Sequence, residues 1–296
     1  MAGFHDFLDQ HALRRLDHMA LSSRHAVEGG RAGRHKSPLK GSSIEFASHR
    51  NYTPGDNLRH LDWKIHGRSE RLHIKEFQEE TSLRVTLVLD SSASMAFSHD
   101  ARPSKFHWAR ELAAACAYLT WQQQDALGLV VYDDEVRESR PPKSGTRHVL
   151  QILDSLQARE PRGRTHSGNA LRTLAASLPR RGIIVMLSDL LDDPEAMFAA
   201  LAHFRRRGND VLLWQILDPA ELTLPFESIS EFIDMETGEH LEVDPLALRL
   251  AYQNALQNAI AECRHRCAAL HVDFQLVSTD TQPIDFLLSC LTRRAR

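Results

Sequence analysis

The sequence predicts an α/β fold: a doubly wound, mostly parallel sheet with an N-terminal extension and a C-terminal hairpin. Three observations predict it. Short apolar runs rich in β-branched residues recur from residue 83 onward, helical stretches separate them, and the chain of 296 residues is 42% hydrophobic and 25% charged, as in ordinary globular domains. Residues 83–89 (Leu-Arg-Val-Thr-Leu-Val-Leu) read as a first strand that stops at Asp90. Residues 104–123 then place Ala109, Leu112, Ala113, Cys116 and Leu119 on one helical face. Residues 126–132, 183–187 and 211–217 repeat the short strand, with helices predicted at 147–156, 167–178 and 194–206. Alternation of this kind gives parallel strands with helices on both faces of the sheet. The tail adds a hairpin at 232–243, turning at Glu236-Thr237-Gly238-Glu239, a long helix from 245 to about 270, a strand at 272–277 and a last helix at 284–293.

The first 80 residues read as a separate unit. They hold 9 of the 17 histidines and a basic stretch of Arg24, Arg31, Arg34, Lys36 and Lys40 against Glu28. Phe7, Leu8, Leu13, Leu16 and Met19 predict one amphipathic helix over 6–20, and Gly29, Gly30 and Gly33 break the pattern into a basic loop. The expected domains are therefore 1–80 and 81–296, the second including a hairpin insertion at 221–245.

Composition bounds the function. A net charge of −3 supplies no positive field for nucleic acid or anionic lipid. The longest apolar runs fall far short of the roughly 20 residues that span a bilayer, and no signal peptide is evident, so the cytoplasm is the expected compartment. Four cysteines are too few and too unevenly spaced for a disulfide framework. Cys263 and Cys267, with His265 and His271, lack four convergent ligands for zinc, and Lys143-Ser144-Gly145 lacks the order of a phosphate loop.

The most informative string is Asp90-Ser91-Ser92-Ala93-Ser94, at the end of a buried strand. In an open parallel sheet, loops at the carboxyl ends of the strands form the ligand crevice. Asp90, Ser92 and Ser94 are hard oxygen ligands that suit Mg²⁺, with Mn²⁺ and Ca²⁺ as alternatives. Thr165, in Gly163-Arg164-Thr165-His166-Ser167-Gly168, and Asp189, after the strand at 183–187, would complete the shell, with Ser167 able to replace Thr165. Both carboxylates are expected to face a solvated crevice, so that their removal would leave the fold intact.

This order of Asp-x-Ser-x-Ser, Thr and Asp resembles the metal-ion-dependent adhesion site (MIDAS) of von Willebrand factor A (vWA) domains, which have a Rossmann-like fold. A second resemblance covers nearly the whole chain. The segment from Arg50 to Trp63 (Arg-Asn-Tyr-Thr-Pro-Gly-Asp-Asn-Leu-Arg-His-Leu-Asp-Trp), then Leu72-His73-Ile74-Lys75-Glu76-Phe77, is similar to the signature of the bacterial family called domain of unknown function 58. Phe232 to Glu239 and the Tyr252 helix also fit that family's C-terminal pattern. The resemblance implies association with MoxR-type AAA+ ATPases in chaperone-like assembly of other proteins, and implies no enzymatic activity. In physical terms, Pro54-Gly55 fits a type II turn, Arg59 and Asp62 stand close enough to pair on a helix, and Leu58, Leu61 and Trp63 are expected to be buried anchors.

Three functions fit these residues. The leading one is a non-enzymatic, metal-dependent interaction module whose ion accepts an Asp or Glu from a protein partner. The second is a metal-assisted hydrolase, for which a general base is missing. The third is a scaffold without metal, in which the oxygen cluster only caps the following helix.

Overall fold

The computed structural model describes residues 2–17, 19–21, 35–41, 45–53, 61–63, 67, 72–163, 168–191 and 193–294. It divides into two compact units, His25–Leu83 and a larger one formed by Met1–Arg24 with Arg84–Arg296.

In the larger unit, six strands form one sheet. Five are parallel: Arg84–Asp90 (β4), Ala126–Tyr132 (β5), Ile183–Ser188 (β7), Asp210–Leu217 (β8) and Asp273–Ser278 (β11). Val136–Lys143 (β6) closes one edge antiparallel to β5, giving the order β11-β8-β7-β4-β5-β6. Every residue of β7 and β8 is buried, as expected of central parallel strands covered on both faces.

The two faces carry different helices because successive side chains along a strand point opposite ways. Val88, Val130, Met186 and Leu213 pack with Leu171 and Leu174 of the helix Gly168–Ser177. Phe198, Leu201 and Phe204 of Pro194–Arg206 and Ile260 and Cys267 of Pro245–Ala269 join the same cluster. On the other side, Trp214 meets Phe286 of the helix Pro283–Arg294 edge to face, and Trp108 of the helix Lys105–Gln122 lies against the same ring. The predicted hairpin is present as Ser230–Ile233 (β9) paired antiparallel with His240–Val243 (β10).

The N-terminal segment differs from expectation. It holds a 3-10 turn at Phe4–Asp6 and a short helix, Gln10–Leu16, capped by the Asp9 carboxylate, where one longer helix was predicted. It belongs to the larger unit: the Phe4 ring packs on Tyr118 and Trp121, and Tyr118 donates to Asp17 at 2.6 Å. Gln123 both accepts from the Leu21 N–H and donates to its carbonyl. The expected boundary near residue 81 therefore marks only the end of the smaller unit.

That smaller unit is a three-stranded antiparallel sheet, with His35–Gly41 (β1) and Glu45–Asn51 (β2) flanking His73–Thr81 (β3). Part of the stretch read as a basic loop, including Lys36 and Lys40, is strand β1. At the end of the signature, Leu61 bridges Ile74, and the Asp62 N–H donates to the His73 carbonyl at 2.8 Å. Leu61 is buried as predicted, but Trp63 is 68% exposed. Trp63 is not the buried anchor the sequence suggested. Pro54, Gly55, Leu58 and Arg59, like Arg24, Arg31 and Arg34, lie outside the described residues.

Candidate functional site

The carboxyl ends of β4, β5, β7 and β8 converge on one polar centre. Asp90, the last residue of β4, accepts the Ser92 N–H at 2.9 Å on Oδ1 and the Ser188 hydroxyl at 2.6 Å on Oδ2. Beyond it the chain tightens into a 3-10 turn, Ala93–Ala96, which brings the Ser92 and Ser94 hydroxyls within 3.1 Å of each other. Ser91 turns away, donating its hydroxyl to the Tyr132 carbonyl. The loop leading to residue 163 leans on this turn: the Arg162 N–H donates to Ser91 and the Ala93 N–H to the Gly163 carbonyl. Gly163 has φ 99°, and a Cβ there would stand 2.9 Å from the Asp133 carboxylate, so this close approach needs glycine. Thr165 and Ser167 lie outside the described residues.

Asp189 is nearby but differently engaged. The Lys105 ammonium sits 2.8 Å from Asp189 Oδ2 and 2.5 Å from Glu221 Oε1, and Lys105 and Asp189 are both wholly buried. Asp189 Oδ1 accepts the Leu191 N–H, so both of its oxygens have partners. Lys105 opens the helix Lys105–Gln122, where the helix dipole disfavours a cation, and the two carboxylates compensate for that placement. Glu221 is held by a capping box: its other oxygen accepts the Asp218 N–H at 2.7 Å, while Asp218 caps the helix Pro219–Thr223. Asp189 therefore gives its charge to Lys105, whereas the two partners of Asp90 are neutral donors.

Burial sets the electrostatics. Desolvation, then the charge of Asp189, pushes the Asp90 carboxyl up to about 7, with the Ser188 and Ser92 hydrogen bonds only partly offsetting it. Burial works against the Lys105 ammonium as well, yet Asp189 and Glu221 outweigh it and raise its pKa. Both carboxylates are buried, where the sequence expectation was two solvated ones: Asp189 lies against Lys105, and Asp90 sits at the base of a cleft with 2% of its surface exposed.

Asp90, Ser92 and Ser94 gather three hard oxygens on one turn, which fits a hydrated Mg²⁺. Among the described residues, no three His, Cys, Asp or Glu side chains group as a metal site by themselves. The sequence reading missed Lys105 and Glu221. A lysine at a helix N-terminus and the Asp218-Pro219-Ala220-Glu221 box were the available signals.

A family model described as "Protein of unknown function DUF58" matches residues 48–262. The chain belongs to the DUF58 family. This DUF58 chain is 29% identical over 243 residues to uncharacterized proteins of Mycobacterium bovis (Mb1516) and Mycobacterium tuberculosis (Rv1480), covering 80% of this chain and 74% of each relative. The uncharacterized protein YeaD of Bacillus subtilis is 45% identical over 51 residues, 17% of this chain and 13% of YeaD. Among solved structures, a conserved hypothetical protein, BatB, from Bacteroides thetaiotaomicron is 16% identical with a TM-score of 0.48. That match covers 72% of this chain and 100% of the BatB chain. Among the described residues, no helix is long and apolar enough to cross a membrane.

Proposed function

We propose that this DUF58 chain is a non-enzymatic protein-interaction module that presents the Asp90 turn to a partner and works with a MoxR-type AAA+ ATPase in assembling other proteins. The observation that carries the reading is the Asp90–Ser92–Ser94 oxygen set, gathered at the carboxyl ends of a parallel sheet. Mg²⁺, when bound, would supply an open position for an Asp or Glu of the partner. Asp90 contributes the charge, Ser92 and Ser94 contribute neutral oxygens, and Ser188 orients the carboxylate. Thr165 is the proposed further ligand. Asp189 acts behind them by fixing Lys105. The resemblance to a vWA adhesion site supports the same assignment.

The lysine favours a second reading. An ammonium already lies against Asp189 and Glu221, so the sheet end could be complete without metal, and the chain would then serve as a metal-free scaffold. Partner capture separates the two. Full-length protein and Asp90→Asn are used as baits in a bacterial lysate, with Mg²⁺ and with chelator. Capture of a AAA+ ATPase by the wild type in Mg²⁺, lost with chelator and in Asp90→Asn, is the expected result. Capture indifferent to chelator and to Asp90→Asn would leave the scaffold.

A further inference from the structure

On one face of the sheet, the apolar surface ends in a polar row. Tyr132 pairs in register with Asp90, Gln215 pairs in register with Ser188, and the Ser188 hydroxyl joins Asp90, so four adjacent strands each place one polar side chain at the same height. This row is the floor of a cleft of about 320 Å³ between the helices Pro194–Arg206 and Pro245–Ala269. Leu190, Met197 and Phe198 supply apolar wall, and charged side chains supply part of the rest.

Two observations indicate what the cleft takes. Gln215 is buried, with its Nε2 tied to the Asp189 carbonyl, while its Oε1 has no hydrogen-bond donor among the described residues. A buried acceptor left in this state costs free energy that a ligand's donor would recover. The charges around the cleft are predominantly negative. Asp90 lies in the floor and Asp193, Glu195 and Glu262 in the lining, against Arg266, whose two terminal nitrogens are both on Glu195 at 2.6 and 3.0 Å. That guanidinium also covers the Phe198 ring at 3.8 Å, so it closes one side and leaves the floor without its charge.

We propose that the cleft binds a primary alkylammonium group on an unbranched apolar stem, with the ammonium over Gln215 and Asp90 and the stem between Met197 and Phe198. An ammonium carries three donors on a compact head, which suits an amide oxygen and a carboxylate that flank the Ser188 hydroxyl in the same row. The same chemistry can come from a free amine or from a lysine side chain. The inference goes beyond the metal reading and does not depend on it.

The test is calorimetry on the full chain at pH 8 in chelator, which keeps metal out of the result. The probes are pentylammonium, 1-pentanol as its neutral counterpart, and N-acetyl-lysine amide. Saturable one-to-one binding of pentylammonium is expected, with pentanol about tenfold weaker or worse. Ala259→Trp, at an exposed wall position, should abolish binding, and the exposed Glu262→Lys should weaken it severalfold, both without loss of fold by circular dichroism. Tighter binding of the lysine amide than of pentylammonium identifies a protein side chain as the source; the reverse identifies a free amine. No saturable binding of either cation, pentanol binding as well as the amine, or undiminished binding by folded Ala259→Trp would overturn the proposal.

Discussion

Lys105→Met should destabilise the protein by about 3 to 5 kcal/mol, the usual consequence of removing one partner from a buried ion pair. Methionine keeps most of the volume, so the loss reports the stranded charges of Asp189 and Glu221 rather than a cavity. Urea unfolding at neutral pH measures it. Asp189→Ala should also destabilise, because it leaves a wholly buried ammonium with Glu221 alone, the opposite of what a solvent-facing carboxylate would do. Combining Lys105→Met with Asp189→Asn should cost less than the sum of the two single changes, since the double variant buries no opposed pair. Strict additivity, or a loss below about 1 kcal/mol for Lys105→Met, would show that the pair is loosely held in solution.

The second large effect is a pH dependence at Asp90. Its carboxyl rises from the ordinary 3.8 to about 7 on folding, so the folded state holds a proton that the unfolded chain has released. Stability contributed by that proton is complete below about pH 4, falls as pH rises, and is gone above about pH 7. The loss is on the order of 4 kcal/mol, since each pKa unit corresponds to about 1.4 kcal/mol. Asp90→Asn removes the titration and keeps a side chain that can accept from Ser92 and donate to Ser188. In chelator, the variant should therefore be more stable than the wild type at pH 8, and the gap should close toward pH 5. Unfolding curves at the two pH values decide it, and an unchanged gap would remove burial as the dominant influence on Asp90.

The strands and helices of the large sheet were legible because each carries a clear period: buried runs such as Ile183–Ser188 and one-sided helices such as Thr146–Ala158. Strand β6 was not. Its exposure alternates at a sheet edge and it contains Pro141 and Pro142, which weaken a strand signal. The small antiparallel sheet was hidden by a histidine-rich, charged composition with little apolar alternation. At the site, the Asp90 turn was readable because its residues are adjacent in sequence. Lys105, Asp189 and Glu221 meet only through the packing of a helix start against two strand ends, and a lysine in sequence looks like a solvated charge. The row of Tyr132, Asp90, Ser188 and Gln215 needs the strand register, which no single segment encodes.

Metal at the Asp90 turn is tested most directly by titrating MgCl₂ into chelator-stripped full-length protein in a calorimeter at pH 8, where Asp90 is ionised, beside Asp90→Asn. One weak site in the wild type is expected, because a single turn offers one carboxylate and two neutral hydroxyls. The heat should vanish in Asp90→Asn. No binding by the wild type at millimolar Mg²⁺, or equal binding by the asparagine variant, would contradict it.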